Sequence, residues 1–231
     1  TVRWFAGNVV ASAEATDVDD LFDRLEAGGQ IWRLNDDVRP TMWRCATVTA
    51  AELDALRTVE QVIRLGRVKG IDADVIELEQ GSIPTTRRTL HIDCTADGLQ
   101  RRPPGPVFDG DRITLQAVRT CQQVFSAAFL GHVEVAYDDD ETRNALSHPV
   151  PHPDEPIDWL RCQFLSQRNS LRWQQDPELQ AWLAGCRLDP YSVARIGDDP
   201  AVLEAAMPII THAEAGLANL ERLLTAAGAP V

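Results

Sequence analysis

Histidines, cysteines and clustered carboxylates are the usual raw material of catalytic and metal sites, and this sequence scatters all three. Its histidines are His91, His132, His148, His152 and His212. His148 and His152 stand four apart, the spacing that puts two metal ligands on one helix face. Pro149 and Pro151 between them forbid that helix, so both read as solvated linker residues. Cys45, Cys94, Cys121, Cys162 and Cys186 are at least two dozen residues apart with no CxxC pair. That pattern reads as reduced thiols that pack in the interior, neither a disulfide framework nor a zinc site. No GxSxG elbow occurs, and no cysteine has a His or Asn beside it in a protease-like context. The acidic runs at 17–20, 36–37, 138–141 and 198–199 lack the D-x-[DN]-x-[DN]-G spacing of a calcium loop and read as solvated helix ends. Lys69 is the only lysine and lies in no GxxxxGK[ST] loop, and no strand leads into GxGxxG.

The charge balance narrows the partners. Lys+Arg is 22 against 35 Asp+Glu in 231 residues, for a net charge of -13 and a pI near 4.7. Phosphate backbones and anionic membrane surfaces both need clustered basic charge, so nucleic acid and membrane are excluded as expected partners. No apolar run reaches the roughly 18 residues of a membrane span. The opening Thr1-Val2-Arg3-Trp4 has no signal-peptide pattern, and the expected location is cytoplasmic.

Several elements could position a site. Thr16-Asp17 caps a helix with Val18, Leu21, Phe22 and Leu25 on one stripe, ended by Gly28-Gly29. Phe5 to Thr16 before it is small and apolar with little periodicity, and Gln30–Leu34 after it reads as a short strand. Thr49 and Glu52 form a capping box for a helix that turns Leu53, Leu56 and Val59 inward. The period then drops to two: Val62–Val68 and Asp74–Gln80 read as a hairpin closed at 69–73, and Gly81-Ser-Ile-Pro84 breaks the chain. Thr89–Ala96 reads as a strand buried on both faces. Arg101–Pro106 is a stiff connector and a candidate boundary, followed by a strand over Arg112–Val118. A helix over Val124–Tyr137 buries Phe125, Ala128, Phe129, Val133 and Ala136, and Asp138–Asp140 stops it in solvent. His148–Pro153 reads as a linker to a helical region with segments near 155–170, 177–186 and 200–226, the last interrupted at Pro208.

One composite feature stands out. The strand over Thr89–Asp93 ends in small residues, and a second strand over Ile113–Val118 turns into the helix near Gln123. Small residues let backbone approach a flat ligand, and a helix start offers free amides to an oxygen. Two core strands with a covering helix account for the same pattern.

The segment Leu90-His-Ile-Asp-Cys-Thr-Ala-Asp-Gly98 resembles the strand and "D-x-x-x-A-T-G"-type turn of flavoproteins built from two dinucleotide-binding domains. In their order, Leu53–Glu60, Val62–Val68, Gly81–Pro84, Arg112–Gln116 and Phe125–Ala128 are similar to the C-terminal half of bacterial, mainly actinobacterial, NAD(P)/FAD-binding oxidoreductases of the flavin-monooxygenase-like kind. The resemblance spans most of 17–190. It implies FAD and NAD(P) as cofactors and a small molecule as substrate. It also implies Thr95 and Ala96 near the cofactor, with Gln116, Gln123, Phe125 and Ser126 near the flavin ring or its ribityl chain. Ala96 departs from the glycine usual in the family, and Gly110-Asp111 precedes its strand where the family's pair follows one. Both glycine fingerprints would lie upstream of Thr1, in an N-terminal dinucleotide-binding portion of the same protein.

The expected fold is mixed α and β. A partial FAD/NAD(P)-binding sheet with a hairpin and covering helices spans 1–147, and a helical region spans 148–231. The expected function is the C-terminal part of an FAD- and NAD(P)-dependent oxidoreductase. Its alternative is a non-catalytic helical binding module that keeps part of a flavoprotein fold.

Overall fold

Helices begin where a side chain can answer the free amides of a first turn, and this chain marks most of its starts that way. In the computed structural model, which describes residues 2–43, 47–96, 102–189 and 199–229, the elements run α1 (Val2–Glu14), α2 (Val18–Ala27), α3 (Ala50–Arg57), β1 (Val68–Ile71), β2 (Val75–Leu78), β3 (Gly81–Pro84), β4 (Phe108–Asp109) and β5 (Arg112–Ile113). Then come α4 (Gln123–Ala136), α5 (Asp140–Leu146), α6 (Pro156–Trp173), α7 (Pro177–Gly185) and α8 (Pro200–Ala226). The fold is mixed α and β. Asp17 caps α2, the Thr49–Glu52 box caps α3, and Asp139, Asp176 and Asp199 cap α5, α7 and α8. The acidic residues read as a solvated stop at 138–140 thus open a helix.

The chain divides into two units, 48–101 and the remainder. The Arg101–Pro106 connector falls at that division. Residues on both sides of 148 share the larger unit, in place of the expected division there. Within the supposed linker, Val150 is 2% exposed and its amide donates to the Ala117 carbonyl at 2.7 Å.

In the larger unit, α1 was not legible. It has no acidic residue in its first turn and no basic one in its last, and it is held by α8. Asn219 Nδ2 donates to the carbonyls of Ser12 and Ala15, and Arg222 donates to those of Ala15 and Thr16. The two helices approach so closely at Gly216 that a Cβ there would lie 3.2 Å from the Val9 carbonyl oxygen. Gln30–Leu34 is no strand. With Gly29 at φ +70°, the Gln30 amide bonds the Leu25 carbonyl at 2.9 Å, so that donor completes the end of α2.

Two apolar clusters fill this unit. One gathers Leu21, Leu25, Trp159, Leu160, Leu220 and Leu224. The other gathers Phe125, Phe129, Val133, Trp173, Leu179 and Leu183. The 18 residues of α6 run from one cluster to the other, a length of roughly 27 Å. Of the expected strand over 112–118, Arg112–Ile113 alone forms a ladder, with Phe108–Asp109. Beyond it the Thr114 amide still reaches the Val107 carbonyl at 2.8 Å, and the Gln116 side chain takes over from the backbone. Its Oε1 accepts from the Gly105 amide and its Nε2 donates to the Gly105 carbonyl.

The smaller unit holds α3 and a three-stranded antiparallel sheet in the order β1-β2-β3. The hairpin exists, shifted along the chain: Val62–Arg67 lies outside the strands, and Gly81–Pro84, expected to break the chain, is β3. Thr89–Ala96 is neither strand nor buried; Leu90 is 82% and Ile92 76% exposed. Pro84 supplies the reason. The Thr85 amide bonds the carbonyl of Asp74, the residue before β2, so by alternation position 84 of β3 turns its backbone nitrogen to the open edge. Proline has no N–H to give there, so a fourth strand returning from the turn at Thr86–Thr89 lacks that ladder bond. Pro84→Thr is expected to let residues 89–93 zip onto β3, seen as slowed hydrogen exchange at Leu90 and Ile92; unchanged exchange contradicts this cause.

Candidate functional site

Four of the six residues implied as flavin contacts lie along one stretch of the larger unit, Gln116 to Ser126, where a loop passes through the core into α4. Backbone groups of Val118 and Thr120 in that loop meet side chains. The Val118 amide donates to Ser126 Oγ at 3.1 Å, and Ser126 Oγ donates to the Gln122 carbonyl at 2.7 Å. Asn169 Nδ2, from α6, donates to the carbonyls of Val118 and His148. The Thr120 amide donates to Ser166 Oγ at 2.7 Å. Thr120 itself sits at φ +40°, a conformation that β-branched residues rarely adopt and that surrounding structure must hold.

Arg119 is the charged centre of the loop. Its Nη1 lies 2.7 Å from Asp189 Oδ1, and both side chains are 6% exposed. Its guanidinium carbon stands 4.0 Å from the Phe125 ring centroid and 4.8 Å from that of Trp173. Aromatic faces attract a guanidinium and shield the pair from water. The Trp173 indole N–H donates to the Leu146 carbonyl, which fixes the ring.

The positions of the implied contacts follow. Phe125 and Ser126 are each 2% exposed. One lies beneath Arg119, and the other has its hydroxyl engaged on both sides, so a flavin could touch neither without unpacking α4. Gln116 is spent on Gly105, and Gln123 is exposed at the first position of α4. Thr95 and Ala96 belong to the smaller unit and are exposed; the Thr95 amide and hydroxyl both donate to Asp93 Oδ1. The residues as placed do not fit a flavin cradle. Arg119, Asp189, Ser166 and Asn169, which build this junction, carried no sequence signal, since they meet across 46 to 70 residues.

A second polar cluster lies where α4 meets α7. The Tyr137 hydroxyl donates to Asp176 Oδ2 at 2.5 Å, while Asp176 Oδ1 accepts from the Glu178 and Leu179 amides. The His132 ring stacks on Trp182 at 4.5 Å between centroids, and its Nε2 is buried without a hydrogen-bond partner. Burial pushes the Tyr137 phenol well above its ordinary range, with the Asp176 hydrogen bond adding to it, so it holds its proton. Burial lowers the His132 imidazole, and Asp176 pulls it weakly the other way. His148 is lowered too, by burial first and then by Arg168 and Arg172, which corrects its reading as a solvated linker residue.

The thiols divide. Cys94, Cys162 and Cys186 are free, and burial raises the Cys162 thiol to about 12, which leaves it unreactive. Cys121 is disulfide-bonded, a departure from five reduced thiols, and Cys45 lies outside the described residues. Among the described residues no three His, Cys, Asp or Glu are placed to hold a metal ion, and no helix is long and apolar enough to cross a membrane.

No family model matches the chain, and no solved structure does. Proteins of Mycobacterium tuberculosis and Mycobacterium bovis, described as uncharacterized, are 50% identical to it over 185 residues. The match covers 80% of this chain and 34% of each relative, so the chain spans about a third of the length of the curated relatives it matches.

Two outcomes follow from this geometry. Arg119→Met leaves Asp189 without its guanidinium and is expected to cost about 3–5 kcal/mol in urea unfolding; a loss under about 1 kcal/mol contradicts the pair's role. Because the folded state keeps His132 and His148 neutral at pH values where the unfolded chain binds protons, the urea midpoint should fall as pH drops from about 7 towards 5. A level or rising midpoint over that interval contradicts the burial of these rings.

Proposed function

We propose that this chain is a non-catalytic binding module, with the smaller unit presenting the surface that meets a partner. The observation that carries this reading is how that unit disposes of its aliphatic side chains. Among the described residues, Leu53 and Leu78 are its buried hydrophobics, whereas Val62, Ile63, Val68, Ile71, Leu90 and Ile92 are between 47% and 82% exposed. Exposed aliphatic side chains that outnumber the buried ones on a small unit support a surface that meets a partner.

The larger unit supports the same reading by what its polar groups already do. Arg119 is ion-paired, Ser126 is hydrogen-bonded twice, and Asp176 is divided between a phenol and a helix start. A shallow hollow of 320 Å³ between the start of α2 and the end of α8 offers Arg222, whose guanidinium already serves the Ala15 and Thr16 carbonyls.

A flavin-dependent oxidoreductase is the competing reading, and a titration separates the two. The purified chain mixed with FAD or with NADPH should show no saturable change in tryptophan fluorescence. The dye ANS should bind the exposed aliphatic surface and lose intensity when Val62→Ser and Ile63→Ser are combined, at unchanged Tm. Saturable flavin binding, or ANS fluorescence indifferent to the double substitution, contradicts the proposal.

A further inference from the structure

Residues 89–95 read Thr-Leu-His-Ile-Asp-Cys-Thr, an unbroken alternation. In an extended chain Leu90, Ile92 and Cys94 share one face, and His91 and Asp93 share the other. The segment leaves the turn at Thr86–Thr89, and the backbone groups of 90–94 have no partner among the described residues. It has the side-chain pattern of a strand, without a neighbouring strand to pair with, and its two large aliphatic side chains stand in water.

We propose that this segment pairs with the same segment of a second copy of the chain, antiparallel and two-fold symmetric about Ile92. The inference rests on the smaller unit being a binding surface and names the occupant of that surface. The pairing register argues for a second copy. With Ile92 opposite the second copy's Ile92, Leu90 lies opposite Cys94, Thr89 opposite Thr95 and His91 opposite Asp93, each twice by symmetry. Apolar faces apolar, and the basic ring faces the carboxylate.

Neighbouring registers lose this match. A one-residue slip sets Leu90 against Asp93 and mixes the two faces. A two-residue slip in one direction puts His91 opposite itself, and in the other puts Asp93 opposite itself, so each forfeits the complementary charges. The single chain already holds the segment open for such an exchange. Among the described residues Asp93 accepts from Thr95, and His91 Nε2 stands 2.9 Å from Thr85 Oγ1, all at the surface where water can replace these bonds.

A ladder of this length makes a small interface, so association belongs at the weak end of the scale. Sedimentation equilibrium of the full chain from about 1 µM to 1 mM is expected to show monomer and dimer in exchange, with Ile92→Asp weakening the dimer tenfold or more. The substituted side chain is exposed, so the Tm should not move. In a Cys94→Ser background, Ile92→Cys should give a covalent dimer on mild oxidation faster than His91→Cys, because position 92 faces itself and position 91 does not. A wild-type chain that stays monomeric throughout overturns the second-copy inference and leaves the binding-module reading to the flavin titration. A dimer that Ile92→Asp leaves intact, or equal cross-linking at 91 and 92, overturns the strand pairing itself.

Discussion

A loop that takes backbone polar groups through a hydrophobic core must have each of them answered, because an unmet buried donor costs about 1–3 kcal/mol. Residues 117–122 are where this chain meets that demand, and much of the larger unit is arranged around the answer. Ser126 fixes the first turn of α4 against Val118, Ser166 and Asn169 fix α6 against Thr120 and Val118, and Asp189 beyond α7 fixes Arg119. The rings of Phe125 and Trp173 then close over the guanidinium, with Phe129 packed against both. A buried ion pair gives little net stability, but it penalises any arrangement that leaves one charge alone. The junction therefore acts less as glue than as a register pin for the helices that meet there.

That arrangement decides the fate of the residues expected to touch a flavin. The pattern of a strand, a turn and a helix start is compatible with a ligand or with a sealed core, and sequence order alone does not separate the two. Here Phe125 and Ser126 face inward, and Gln116 substitutes for missing ladder bonds. The Ser126 hydroxyl and the Gln116 amide, which would have addressed a cofactor, address the protein. Exposed aliphatic side chains occur on both units, and in the smaller one they outnumber the buried ones among the described residues. The match spans about a third of the length of the mycobacterial relatives, and the chemistry of those longer proteins is a separate question.

Local signals were legible and long-range ones were not. Asp17 and the Thr49–Glu52 box each act within a turn, and each marked its helix at the right place. The apolar spacing of Phe125, Phe129 and Val133 foretold the buried face of α4. By contrast α1 depends on Asn219 and Arg222, about 200 residues away, and has no strong pattern of its own. Thr89–Ala96 has the alternation of a strand, yet one proline on the neighbouring edge leaves it unpaired. Periodicity reports what a segment could bury; the missing N–H of Pro84 decides what it does bury. The Arg119–Asp189 pair spans 70 residues, and neither residue has local company to betray it.

Native-state hydrogen exchange at the Val118 and Thr120 amides, followed through low concentrations of denaturant, tests the structural role of this loop most directly. If the loop pins the helices, both amides exchange only through global unfolding, with free energies that match the full stability of the larger unit and fall steeply with denaturant. If they exchange through a small local opening that denaturant does not affect, the loop is a mobile feature laid over the core, and the case for a sealed junction in place of a ligand site fails.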